Sequence, residues 1–237
     1  MNKSNQELFL DTIGYRFSDV SLLNNALTHS SYSNDLGLDY SKNNERLEFL
    51  GDAVLELASS RFIFEEHPDM PEGEMTTLRA SLVCEQSLAD AARLIGLENE
   101  VILGHGEEKT GGRSRDSILS DAFEALIGAI YLDGGYDEAE GFIKKFILTD
   151  IEKKSLYHDS KSKLQQIVQG YFHEKSSLVY DVIKETGPAH NKTFTVELKI
   201  QGTQITVADG HTKKKAEQEA AYQALLLLKE KDLLEII

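Results

Sequence analysis

The sequence predicts an all-α domain over residues 5–151, a linker at 152–159, and a small α+β domain of order α-β-β-β-α over residues 160–230. Three observations carry that reading. Up to about residue 150 apolar residues recur at helical spacing and two-residue alternation is almost absent, whereas Thr193–Ile200 alternates strictly. The charge divides at the same place: residues 1–152 hold 12 Lys+Arg against 29 Asp+Glu, a net of −17, and residues 153–237 hold 13 against 11, a net of +2. Between them lies the polar run Glu-Lys-Lys-Ser-Leu-Tyr-His-Asp, Glu152–Asp159. Such asymmetry indicates two modules with different electrostatic roles. A hydrophobic content of 41% over 237 residues is enough for packed cores.

In chain order, Gln6–Ile13 opens the helical region and Asp19–His29 makes a short amphipathic helix after a turn. Ser33–Asn44 is polar and contains Gly37, so it reads as a loop. A central helix starts next to Asn44 and runs to Phe64 or Glu65, ahead of His67-Pro68. Glu74–Leu94 reads as one long helix with Leu78, Leu82, Leu88 and Ala92 apolar. Gly104–Arg115 is a glycine-rich loop, Ser117–Leu132 a helix apolar on nearly every side, and Tyr136–Ile151 the closing helix.

Beyond the linker, Leu164, Ile167, Val168 and Tyr171 stand at helical spacing within Lys161–Phe172. Ser177–Lys184 is the first strand. In the second, Phe194, Val196, Leu198 and Ile200 share one face, and Gln201-Gly202 turns into a third at Gln204–Ala208. Lys213–Leu228 is the last helix, with Ala216, Ala220, Ala224 and Leu227 inward.

A single cysteine, Cys84, excludes an internal disulfide framework, and its apolar surroundings suggest a buried, inert thiol. The first residues lack the apolar core of a signal peptide, and no apolar stretch approaches the ~20 residues that span a bilayer. The expectation is a soluble cytoplasmic protein with no membrane partner.

The chemistry is concentrated in two acidic helices. Around a helix, Glu45, Glu48, Asp52 and Glu56 form one narrow stripe. Leu47, Leu50, Val54 and Leu57 lie opposite, and Phe49 and Leu55 flank the acids, so Glu48 and Asp52 are expected to be partly buried. An Asp/Glu pair at this spacing is usually solvated surface. The second helix changes the balance: the only charged residues of Ser117–Leu132 are Asp121 and Glu124, three apart and on one face. If the helices pack together, with Gly51 and Gly128 allowing close approach, four carboxylates converge. Crowded carboxylates need a proton or a cation, and hard oxygen ligands suit Mg²⁺ or Mn²⁺.

Asn-Glu-Arg-Leu-Glu-Phe-Leu-Gly-Asp-Ala-Val-Leu, Asn44–Leu55, resembles the signature of the ribonuclease III family, endonucleases of double-stranded RNA. Asp121–Gly135 is similar to that family's second acidic motif, and Ala26–Tyr32 and Pro71–Met75 fit its other segments. The resemblance implies an all-α endonuclease domain acting with Mg²⁺ (Mn²⁺ substituting), and Glu48, Asp52, Asp121 and Glu124 as its metal-binding acids. Asp52 and Glu124 are assigned to catalysis, Glu45 and Glu72 to support. It also implies a homodimer in which each site cuts one strand, leaving 5′-phosphate and 3′-hydroxyl ends, and substrates such as precursor rRNA and mRNA. His29 is open to two readings, lining the site or a satisfied core histidine. Gly112-Arg113-Ser114-Arg115 is either a phosphate cradle or an ordinary surface loop, and its place before Asp121 favours RNA contact.

The second module resembles a double-stranded-RNA-binding domain, which recognises A-form shape through 2′-hydroxyls and phosphates. Lys161–Gln169 is similar to its first RNA-contacting helix, implying contacts from Ser162, Gln165, Gln166 and Gln169. Gly187–His190 matches its β1–β2 loop, with His190 reaching a minor groove, and Gly210–Glu217 matches the start of its last helix. Lys213, Lys214 and Lys215 also argue independently: cations at a helix start oppose the macrodipole, which suggests a bridging phosphate. A non-catalytic RNA-binding regulator is the main rival, disfavoured because all four acids are present. A helical nucleotide phosphohydrolase is a second rival, for which the C-terminal module is superfluous.

Overall fold

Helix α8 (Asp116–Gly134) buries every residue from Ile118 to Ile130 except Asp121 and Glu124. The first unit is built around it. The computed structural model describes residues 5–172, 178–187 and 192–230, and the chain divides into two units, Met1–Ile151 and Glu152–Ile237. In the first, α4 (Glu45–Glu66) packs along α8 more extensively than any other element. Helices α2 (Val20–Leu27), α6 (Glu85–Leu94) and α9 (Tyr136–Phe146) complete its shell. Phe123, Leu126, Ile127 and Ile130 meet Leu23, Leu55, Leu82, Leu88 and Ile143 in one core. Each such side chain contributes ~1.5–3 kcal/mol of burial, which is why this apolar helix sits at the centre.

Several elements differ from the sequence reading. Glu74–Leu94 is two helices, α5 (Glu72–Leu82) and α6, broken at Val83-Cys84. No Gly or Pro marks the break; Cys84 adopts an extended backbone there, and the turn lets Leu78, Leu82 and Leu88 all reach the core. Cys84 is therefore half-buried at a helix junction rather than inside a helix. The expected loop before α4 holds α3 (Ser30–Asp35) and a 3₁₀ turn at Tyr40–Lys42. The glycine-rich loop contains α7 (His105–Lys109) and a 3₁₀ turn at Gly112–Ser114. The closing helix ends at Phe146. At the N-terminus α1 (Asn5–Ile13) buries Phe9 and Ile13.

The stretch expected as a linker is mostly helix α10 (Ile151–His158), whose Leu156 packs on the core of the second unit. There α11 (Ser160–Phe172) and α12 (Lys213–Glu230) cover an antiparallel sheet of β1 (Leu178–Thr186), β2 (Thr193–Ile200) and β3 (Thr203–Gly210), in that order. Gln201 and Gly202 both have positive φ, 51° and 78°, the turn geometry that matches strand twist. Leu164, Val168, Leu198, Ile200, Ala220 and Ala224 form the core. Ile167 and Tyr171 are exposed instead, and Leu225 replaces Leu227 as the buried leucine of α12.

Candidate metal centre and nucleic-acid interface

Two glycines set the geometry of the acidic cluster. A methyl group at Gly51 would lie 1.8 Å from the carbonyl oxygen of Glu124, and one at Gly128 would lie 2.2 Å from that of Leu47. Only hydrogen fits at the crossing, so α4 and α8 touch backbone to backbone and the turns bearing Glu48 and Glu124 stand side by side. The start of α4 is held as well. Asn43 Oδ1 accepts the Glu45 N–H at 3.1 Å, and the Asn44 N–H donates to the Thr28 carbonyl at 2.8 Å.

Glu48, Asp121 and Glu124 each bring a carboxylate oxygen to within 4.8 Å of the others, and all three are half-buried. Burial pushes the Glu124 carboxyl up to about 8, reinforced by Asp52, Glu48, Asp121 and Glu56. Burial, then Asp121, Glu45 and Asp52, push Glu48 up to about 7. Every charged group acting on these two is another acid, so without a cation both carboxyls are held well above the usual carboxylate range. Asp121 is also raised by burial, opposed by a hydrogen bond from Ser120 and by His29. An all-oxygen, uncompensated, partly desolvated donor set fits a hard divalent ion.

The other expected residues fall around this trio. Asp52 is exposed rather than partly buried, one turn beyond Glu48, because the buried face of α4 runs through Leu47, Gly51, Val54, Leu55 and Ala58. Leu57, opposite the acids, is exposed at 58%, so that face is not wholly a core face, and Phe49, beside the acids, is exposed at 80%. Glu45 lies on the first turn of α4, exposed. Glu72 opens α5 and lines a groove with Leu57, Phe64, Met75 and Arg79, outside the trio. His29 caps α3 and lies half-buried near Asp121. Glu85, on the first turn of α6, also acts on Asp121, and sequence reasoning misses it. A lone acid at a helix start signals only the macrodipole.

Arg113 has a structural task. Its guanidinium donates to the carbonyls of Glu98 and Val101 at 2.7 and 2.9 Å and grips Glu108 at 3.0 and 2.6 Å. Arg115 pairs with Glu107. Neither guanidinium stands ready as a phosphate cradle.

In the second unit Ser162, Gln165 and Gln166 are exposed on α11, while the Gln169 amide nitrogen is buried without a partner. His190 lies outside the described residues. Thr212 caps α12 by accepting the Lys215 N–H at 3.1 Å. Lys213 and Lys214 are exposed and Lys215 is half-buried. Lys213 Nζ lies 3.4 Å from Glu185 and 5.6 Å from the Phe194 ring centroid. Solvent screens an exposed pair of this kind, so a phosphate can replace Glu185 cheaply.

Comparison with known proteins agrees with this division. Residues 19–151 match the family described as Ribonuclease-III-like, and residues 160–228 match the Double-stranded RNA binding motif. The chain is 47% identical over 220 residues to Ribonuclease 3 of Staphylococcus aureus strain JH9, covering 92% of this chain and 90% of that one, and equally to the strain Newman protein. Among solved structures it resembles the nuclease domain of ribonuclease III from Campylobacter jejuni, with TM-score 0.56, 42% identity, and coverage of 60% of this chain and 96% of that one. That structure is described as showing flexibility in a region involved in dimer formation.

Proposed function

The chain belongs to the ribonuclease III family, and from that premise we propose how its residues divide the hydrolysis of double-stranded RNA. It is a metal-dependent endoribonuclease with a double-stranded-RNA-binding domain. The domain bounds we adopt are 5–151 for catalysis and 160–230 for RNA binding. The observation that carries the assignment of the centre is the convergence of Glu48, Asp121 and Glu124 from two helices, with acids and His29 as the charged groups around them among the described residues. These three would hold Mg²⁺, with Mn²⁺ able to replace it. A bound divalent ion supplies Lewis-acid charge that favours ionised water and neutralises the phosphate. Asp52, exposed beside Glu124, is free to join the ligand set or to carry the proton that the departing 3′-oxygen requires. The products are 5′-phosphate and 3′-hydroxyl ends. Glu45 and Glu72 have supporting roles at the margin.

The acidic first unit repels phosphate, so affinity for RNA rests on the second. Ser162, Gln165, Gln166 and Gln169 of α11, His190, and Lys213, Lys214 and Lys215 of α12 are its proposed contacts; Gln169 must turn its amide outward to serve. A second copy of the chain completes the enzyme. The exposed Phe49, Leu57 and Phe64 of α4, beside the groove against α5, favour that assembly. We further assign the protein to the cytoplasm, where structured precursor transcripts such as rRNA and mRNA are made. No helix among the described residues is long and apolar enough to cross a membrane.

The test is cleavage and gel-shift affinity on one long duplex, in Mg²⁺ and in Ca²⁺, for the native chain and Glu124→Gln. The variant is expected to bind the duplex normally and to cleave it slower by orders of magnitude. Normal cleavage by the variant removes Glu124 from the centre.

A further inference from the structure

We propose that His29 presents its Nε2–H to a phosphate oxygen of the duplex RNA lying at the carboxylate centre, while its Nδ1 holds the start of α3. The proposal rests on the assignment of that centre to Glu48, Asp121 and Glu124.

The two ring nitrogens of His29 have separate surroundings. Nδ1 receives the Ser31 N–H at 3.2 Å and lies 2.8 Å from Ser31 Oγ, whose own oxygen accepts the Gly104 N–H at 2.9 Å. With Ser31 Oγ anchored by Gly104, two donors of Ser31 converge on Nδ1. That fixes Nδ1 as the acceptor, so in the neutral ring the proton sits on Nε2. Nε2 has no protein partner among the described residues. The ring is half-buried rather than sealed in the core, so Nε2 is available to a ligand.

The backbone holds the ring in place from both sides. The His29 N–H donates to the Ile102 carbonyl at 3.0 Å, the Ile102 N–H donates to the Leu27 carbonyl at 2.8 Å, and the Thr28 carbonyl accepts the Asn44 N–H where α4 begins. The imidazole is thus fixed to the same frame as Glu48, one turn into α4. Asp121 of the centre lies within electrostatic reach of His29, which the backbone links tie to the start of α4. Around that centre are Glu45, Asp52, Glu56 and Glu85, all of which repel phosphate. A rigidly held neutral N–H can meet a phosphate oxygen without forming an ion pair with the ligand acids.

Two substitutions separate the ring's two ends. Asn at position 29 offers Oδ1 where Nδ1 was and is among the best N-caps, but has nothing at the place of Nε2. Gln keeps an Nε2–H donor at the far end and loses the cap. In the full-length protein, His29→Asn is expected to leave melting temperature and duplex affinity in Ca²⁺ nearly unchanged and to lower kcat in Mg²⁺ by about a hundredfold, the usual effect of deleting one transition-state donor. His29→Gln is expected to melt several degrees lower and to keep a kcat within about tenfold of the native value when assayed well below its melting temperature. The proposal is overturned if His29→Asn cleaves at the native rate, or if rates follow melting temperatures across the two variants, as a purely structural histidine demands. Glu124→Gln in the same assay keeps the two claims apart: inactive Glu124→Gln beside fully active His29→Asn rejects the histidine alone, and active Glu124→Gln rejects the centre itself.

Discussion

At the scale of single residues, the acid trio stores its own pH dependence. The Glu124 carboxyl is raised from near 4.5 to about 8 and Glu48 from near 4.5 to about 7 in the folded chain. Between those limits the folded state binds more protons than the unfolded state, so metal-free stability is complete below pH ~4.5 and falls as pH rises through 7 and 8. Replacing Glu124 by Gln removes that residue's share of the loss. The variant should match the native chain in metal-free melting temperature at pH 4.5 and exceed it at pH 9. Added Mg²⁺ should stabilise the native chain at pH 9 and the variant far less. Equal slopes of melting temperature with pH in the two proteins would contradict the buried carboxylate assignment. These acids are legible in the sequence because charge inside an apolar run is conspicuous. Asp52 reads as deeper than it is: a helical wheel gives its stripe but not which side of that stripe the neighbour covers. Glu85 and the two-ended bonding of His29 depend on chain segments distant in sequence. Arg113 has the composition of a phosphate ligand, and only the fold brings the carbonyls of Glu98 and Val101 to its guanidinium.

At the scale of elements, the α4–α8 crossing decides whether the acids meet. Ala favours a helix over Gly by up to ~1 kcal/mol, but its methyl at Gly51 would stand 1.8 Å from a backbone oxygen that no rotamer change can move. The clash outweighs the propensity. Gly51→Ala should destabilise by at least ~2 kcal/mol and weaken metal binding, read by thermal melting with and without Mg²⁺. Gly141, exposed in α9 with nothing within 4 Å of an added methyl, is the control and should gain about 0.5–1 kcal/mol as Ala. Unchanged stability of Gly51→Ala would mean that the helices are not in backbone contact. On α12, neutralising Lys213, Lys214 and Lys215 together should flatten the dependence of log K on log salt by roughly 1 for each phosphate no longer neutralised. An unchanged salt slope excludes the phosphate clamp. Helix identity is readable from periodicity and the hairpin from Gln201-Gly202. The break at Val83-Cys84 is not, since tertiary packing makes it and no breaker residue announces it. Nor is α10, whose polar composition hides Leu156 and the Tyr157–Tyr222 ring contact at 5.3 Å.

At the scale of the whole molecule, charge and chemistry are separated into two units with independent cores. Residues 1–151 alone should fold and cleave duplex RNA at low salt, yet bind it at least tenfold more weakly than the full chain at physiological salt, measured by gel shift in Ca²⁺. Equal affinities would move the RNA-binding role to the first unit. The order in which the centre's parts occur along the chain has a further consequence. Glu48 sits near the beginning of its domain and Asp121 and Glu124 near its end, joined only when α8 enters the core. Contacts between such distant residues form late, and chains emerge from the ribosome N-terminus first. A growing chain therefore carries half a chelator while the residues between Glu48 and Asp121 are made. An enzyme that cuts folded RNA is born on a machine built of folded RNA, and it acquires its cutting edge only once α8 has been made and packed.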